Sequence, residues 1–81
     1  MKIKIRFIGR YKEITDKDEF VIDVDGDTIW DAVDFFAQKH PQIEKDKKFI
    51  TVSKNKVFAT LDTKIENGDI VTITPPIVSG G

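Results

Sequence analysis

The chain has 81 residues, 40% of them hydrophobic and 33% charged, with a net charge of −1, one histidine and no cysteine. One domain of this size buries only ~60–65% of the surface its extended chain exposes, which leaves room for one core and no deep active-site cavity. The composition excludes a disordered segment, and the near-neutral charge gives no claim on nucleic acid or an anionic membrane. Without cysteine there are no disulfides, no thiolate metal sites and no cysteine nucleophile, and His40 alone cannot build a metal cluster. No apolar run approaches the ~18 residues of a membrane span, and Met1-Lys2-Ile3 leads into alternating sequence rather than a signal peptide. The cytoplasm is the expected compartment.

KIKIRFI (Lys2 to Ile8) alternates with period two, putting Ile3, Ile5 and Phe7 on one face and Lys2, Lys4 and Arg6 on the other. That pattern predicts a half-buried strand. Gly9 breaks it, and the charged stretch to Asp18 reads as a loop or wide hairpin. EFVIDVD (Glu19 to Asp25) resumes the alternation with Phe20, Ile22 and Val24, and two strands so close in sequence pair most simply as antiparallel neighbours.

The period then changes. Ile29, Val33, Phe36, Ala37 and His40 fall at helical spacing, with Trp30 and Phe35 on the flanks. Thr28 is a good N-cap, Asp31 completes a capping-box-like pair, and Pro41 ends the helix near His40. Ile43 to Lys48 reads as a charged connector. Phe49 to Val52 and Val57 to Leu61 are short strands flanking the turn Ser53-Lys54-Asn55-Lys56, with Val57, Ala59 and Leu61 inward and Phe58 exposed. Asn67-Gly68 marks a turn needing positive φ, and Ile70 to Thr74 is the last strand, ended by Pro75-Pro76. One helix stripe laid over one mixed sheet predicts a two-layer α+β domain with the order strand, strand, helix and three strands. The pattern leaves the order of strands within the sheet open.

Few residues suggest chemistry. Asp23, Asp25, Gly26, Asp27 and Asp34 only faintly suggest a calcium loop, because the glycine is fourth where an EF-hand needs it sixth, and no metal site is expected. His40 has no partner acid or nucleophile at a motif spacing and suits the negative end of a helix dipole. The basic run Lys2, Lys4, Arg6, Arg10 and Lys12 reads first as a solvated strand face and second as a docking face. The tail TPPIVSGG remains. Ile77 and Val78 are costly to leave in water. The prolines favour an extended exit, and the five residues after Pro76 reach at most ~17 Å. Gly80 and Gly81 lack Cβ, so they fit a narrow channel and present a carboxylate that adenylation by ATP turns into a reactive acyl group.

Phe7 ending the first strand, Thr28 opening the helix, Asn55 before a strand, Asn67-Gly68-Asp69 and the final PPIVSGG together resemble the β-grasp, ubiquitin-like sulfur carriers of the MoaD and ThiS type. Within that family the likeness is greatest to the small subunit of molybdopterin synthase. The resemblance spans the whole chain and implies a β-grasp domain over residues 1–76 followed by a flexible Gly-Gly tail over residues 77–81. It implies that an E1-like adenylating enzyme, using ATP and magnesium, activates Gly81 for conversion to a thiocarboxylate. The large synthase subunit would then accept the tail, and the sulfur would enter a pyranopterin during molybdopterin synthesis. Gly80 and Gly81 carry that role. Phe58, Thr74, Pro75, Pro76, Ile77 and Val78 would be held by protein partners, and the chain itself would be a co-substrate with no bound cofactor. Thr74 stands where the family usually has an aromatic residue, and the tail is one residue longer than is common. A carrier for thiamin or tRNA thiolation, a ubiquitin-like modifier, and a plain β-grasp interaction domain are the alternatives.

Overall fold

The computed structural model describes residues 1–77. Eight elements follow in order: β1 (Lys2–Phe7), α1 (Arg10–Thr15), β2 (Glu19–Asp23), α2 (Ile29–Ala37), α3 (Pro41–Asp46), β3 (Thr51–Lys54), β4 (Val57–Ala59) and β5 (Ile70–Thr74). The five strands form one mixed sheet in the order β2-β1-β5-β3-β4. β1 pairs antiparallel with β2 and parallel with β5, while β3 pairs antiparallel with both β5 and β4. The chain is thus the expected two-layer α+β domain, a β-grasp, with the parallel β1–β5 pair at its centre.

Period-two alternation sends Ile3, Ile5, Phe7, Ile22, Val71, Ile73 and Val52 beneath α2, which contributes Ile29, Ala32, Val33, Phe36 and Ala37. Phe36 is the keystone of this layer. Its ring packs edge-on against Phe7 and Phe20, with centroids 4.9 and 5.1 Å away, geometry that favours the aromatic quadrupoles.

The start of α2 is fixed as its sequence predicts. Asp31 accepts hydrogen bonds from the backbone N–H groups of Asp27 and Thr28, each at 3.0 Å, and from Thr28 Oγ1 at 2.9 Å. Those bonds hold its carboxyl below the usual range, the Thr28 backbone bond acting most strongly. A Cβ at Gly26 would overlap this carboxylate, so glycine is the residue that lets the capping box close.

Two predicted connectors are helices. The loop expected after Gly9 contains α1, because Tyr11 and Thr15 are buried and Ile14 packs on the core, an i, i+3, i+4 set compressed into six residues. Asp16 ends it in the left-handed region at φ 72°, which Asp tolerates better than most residues. The charged connector after the long helix contains α3. Pro41 does close α2, but it also occupies the first turn of the next helix, where a missing N–H costs nothing. Ile43 anchors that helix, fully buried. His40 therefore joins two helices rather than ending one: its N–H donates to Phe36 O at 3.0 Å, and its carbonyl accepts from Ile43 and Glu44. The stripe of α2 runs through Ala32 instead.

β3 and β4 are shorter than, or shifted from, the predicted strands. Asn55 and Lys56 form their turn with φ of 51° and 72°. Ala59 and Leu61 pack partly against the core as expected, but Val57 is exposed beside this turn, on an edge strand that the helices do not cover.

Candidate functional site

Of the predicted site residues, Thr74, Pro75, Pro76 and Ile77 lie where β5 leaves the sheet. Thr74 is the last ladder residue, opposite Thr51 of β3, and is half-buried. Pro75 continues the inward phase of Val71 and Ile73 and is buried. Pro76 is half-buried, whereas Ile77 is 93% exposed. Val78, Gly80 and Gly81 lie outside the described residues. Phe58, 85% exposed, sits elsewhere on the molecule. Registers Arg6–Glu19, Arg6–Thr72, Ser53–Thr72 and Ser53–Phe58 put it at the far end of one row across the outer sheet face. Two strand spacings separate it from β5, about 10 Å.

Structure adds three supports around the exit that sequence reading missed. Gly9, at φ 64° and ψ −140°, turns the chain from β1 into α1 and lies against Pro75, whose Cγ is 3.5 Å from where a Cβ would be. Ile8 N–H donates to Ile73 O at 3.0 Å, extending the parallel ladder one step beyond β1. Arg10 then spans two elements. Its Nη1 donates to Pro76 O at 3.4 Å and its Nη2 to Asp46 Oδ2 at 3.0 Å, from the end of α3. Tyr11 donates its hydroxyl to the same Asp46 oxygen at 2.7 Å. Burial first, and then this bond to a carboxylate, raise the phenol well above its ordinary pKa, with Arg10 opposing. The only advance signal of this cluster was the spacing of Tyr11, Ile14 and Thr15; nothing in one sequence pairs Arg10 with Asp46.

Three of the calcium-loop acids are held in ion pairs. Asp23 holds the N-terminal ammonium at 2.8 Å, Asp27 pairs with Lys64 at 2.7 Å and Asp34 with Lys47 at 2.8 Å. These acids are dispersed, and no group of three metal-ligating side chains occurs among the described residues. On the basic strand face, Glu19 lies 3.7 Å from Lys4 and 3.4 Å from Arg6. No helix among the described residues is long and apolar enough to cross a membrane.

The family model described as the ThiS family matches residues 5–81, nearly the whole chain and its Gly-Gly end. The chain belongs to the ThiS family. Members of this ubiquitin-like sulfur-carrier family serve as protein substrates rather than as enzymes. Among solved structures, small archaeal modifier protein 1 of Haloferax volcanii is 27% identical, with 94% of this chain and 98% of that one covered at a TM-score of 0.78. The Pyrococcus furiosus molybdopterin converting factor subunit 1 is 19% identical, with 95% and 99% covered at 0.79. A Helicobacter pylori chain, from a complex of molybdopterin-converting factor subunits 1 and 2, is 20% identical, with 99% and 100% covered at 0.65. The last two likenesses establish shared fold. No curated protein matches the sequence.

Proposed function

We propose that this ThiS-family chain is a sulfur carrier for molybdopterin synthesis, with residues 1–76 as handle and residues 77–81 as reagent. The reading rests on one observation: a family match that runs through Gly81, on a chain whose body ends at a buried Pro75 and whose next residues emerge to a fully exposed Ile77. In this account an adenylating enzyme, with magnesium, joins the Gly81 carboxylate to the AMP portion of ATP and releases pyrophosphate. A sulfur donor then displaces AMP and leaves a C-terminal thiocarboxylate, whose sulfur is a better nucleophile than a carboxylate oxygen. Gly80 and Gly81 enter the enzyme channel because they carry no side chain. Thr74, Pro75, Pro76, Ile77 and Val78 form the stalk held by the adenylating enzyme and by the large synthase subunit. Phe58 is the separate apolar anchor on the sheet face.

A second reading has its own support. The likeness to a small archaeal modifier protein favours a carrier whose activated Gly81 is also joined to amines of other proteins.

Both readings require activation at Gly81, and ATP–pyrophosphate exchange with the host's adenylating enzyme tests it. Adding residues after Gly81 should abolish exchange, whereas a plain interaction domain would bind that enzyme equally well with or without them. Phe58→Ala should raise KM about tenfold or more, the size expected for an aromatic anchor. An unchanged KM removes Phe58 from the interface.

A further inference from the structure

The tail of a protein substrate must arrive at its channel from a defined direction, and the structure contains a device that sets it. We infer that Arg10 is a positioning residue: its guanidinium, held by Asp46, fixes the peptide of Pro76 and so aims the chain leaving β5. The inference rests on the sulfur-carrier reading but depends on different residues.

The geometry assigns each part a task. Arg10 uses two separate nitrogens, Nη1 on Pro76 O and Nη2 on Asp46 Oδ2, so the contact with the tail root is braced from α3. Asp46 is itself only 17% exposed on its side chain and is shared with the hydroxyl of fully buried Tyr11. The brace therefore traces back to the core. Pro75 and Pro76 have no N–H, so neither can continue the β5 ladder as a donor. Ile73 O already accepts from Ile8. Past the ladder, the Pro76 carbonyl is the backbone group that the structure shows being gripped, and a forked cation can grip it while staying bound to its carboxylate. A lysine ammonium at position 10 is a single point and cannot serve both partners with the same geometry.

Fixing the root before binding removes an ordering cost from the encounter with the adenylating enzyme. Arg10→Ala should therefore raise KM in pyrophosphate exchange about three- to tenfold with kcat unchanged, the factor expected from freeing one immobilised group. Arg10→Lys should fall between. Asp46→Ala keeps Arg10 available to a partner but removes the brace, and should raise KM as Arg10→Ala does. Ile43→Val, chosen on the same helix to weaken packing without touching the brace, should lower the melting temperature and leave KM alone. The backbone amide of Ile77 supplies a second readout by 15N relaxation, with more nanosecond motion in Arg10→Ala than in the parent. Equal KM values for parent and Arg10→Ala overturn the inference. So does a rise in KM for Ile43→Val that matches Arg10→Ala, because stability alone would then explain both. An effect of Arg10→Ala without any for Asp46→Ala makes Arg10 a direct partner contact and also overturns it. If the parent is never adenylated, the sulfur-carrier reading fails, and Ile77 relaxation alone decides whether the brace exists.

Discussion

The two ends of β5 are held by different physics. At its start, asparagine side chains and backbone bonds together hold the chain. Asn55 accepts from Ile70 N–H and donates to Asp69 Oδ1, both at 2.9 Å, and its own N–H reaches Ile70 O at 2.8 Å. Asn67 accepts from Lys2 N–H at 2.7 Å, and Gly68 N–H donates to Lys2 O at 2.8 Å. At its exit, two prolines offer no donors, and beyond the last ladder bond, Ile8 N–H to Ile73 O, the chain is held by one buried ring and one guanidinium. The start is a lock with many short bonds; the exit is a seat with few. In the proposed function, where β5 is rigid at one end and delivers a reactive terminus at the other, both have a use.

The contrast can be broken from either side. The largest expected effect is at the exit. Gly9→Ala would place a side chain at φ 64° and ψ −140°, a region close to glycine-only, while meeting Pro75 at ordinary contact distance. Backbone strain of that kind costs about 1–3 kcal/mol. In a domain this small, thermal melting should register each kcal/mol as about 4–8 °C. An unchanged melting temperature means that Gly9 does not set the turn beneath Pro75.

At the start of the strand, Asn55→Ala removes two side-chain hydrogen bonds and puts alanine at φ 51°. The groups are exposed and water can replace part of the loss, so about 1–2 kcal/mol is expected in urea unfolding. A smaller effect accompanies it in acid. The bond from Asn55, first, and then the Glu66 backbone bond and Lys54 hold the Asp69 carboxyl below its usual range. A carboxyl depressed on folding stabilises above its unfolded value of about 3.9, and that contribution is lost as pH falls through the folded value. Stability should therefore drop on acidification below about pH 4, and Asp69→Asn should flatten that part of the curve. An acid limb identical in parent and Asp69→Asn assigns the drop to other carboxyls.

The same contrast explains what the sequence makes legible. The start of β5 is announced by local signals, Asn67-Gly68 and the alternation of Ile70 to Thr74, and Gly68 indeed adopts φ 91°, although the turn's bonds to Lys2, 65 positions from Asn67, carry no such signal. The capping box of α2 is equally local, four residues long, and was readable in full. The exit is assembled from residues far apart in the chain: Arg10 and Pro76 are 66 positions distant, Arg10 and Asp46 36. Short helices hid these partners, since six residues give too few turns for a hydrophobic period to stand out. Val57 misled for another reason. Alternation on an edge strand says which side a residue takes, but burial needs something on that side to cover it. Phe58, on the opposite phase, is exposed for the same reason that made it a candidate anchor.

The central claim is that Gly81 becomes a thiocarboxylate, and intact mass tests it most directly. The parent chain, incubated with its host's adenylating enzyme, ATP, magnesium and a sulfur donor, should exchange one oxygen for one sulfur, with fragmentation mapping the change to Gly81. Gly81→Val should show no change. A parent mass that stays fixed beside an enzyme demonstrably active on another carrier contradicts sulfur carriage and leaves the β-grasp domain as a docking module.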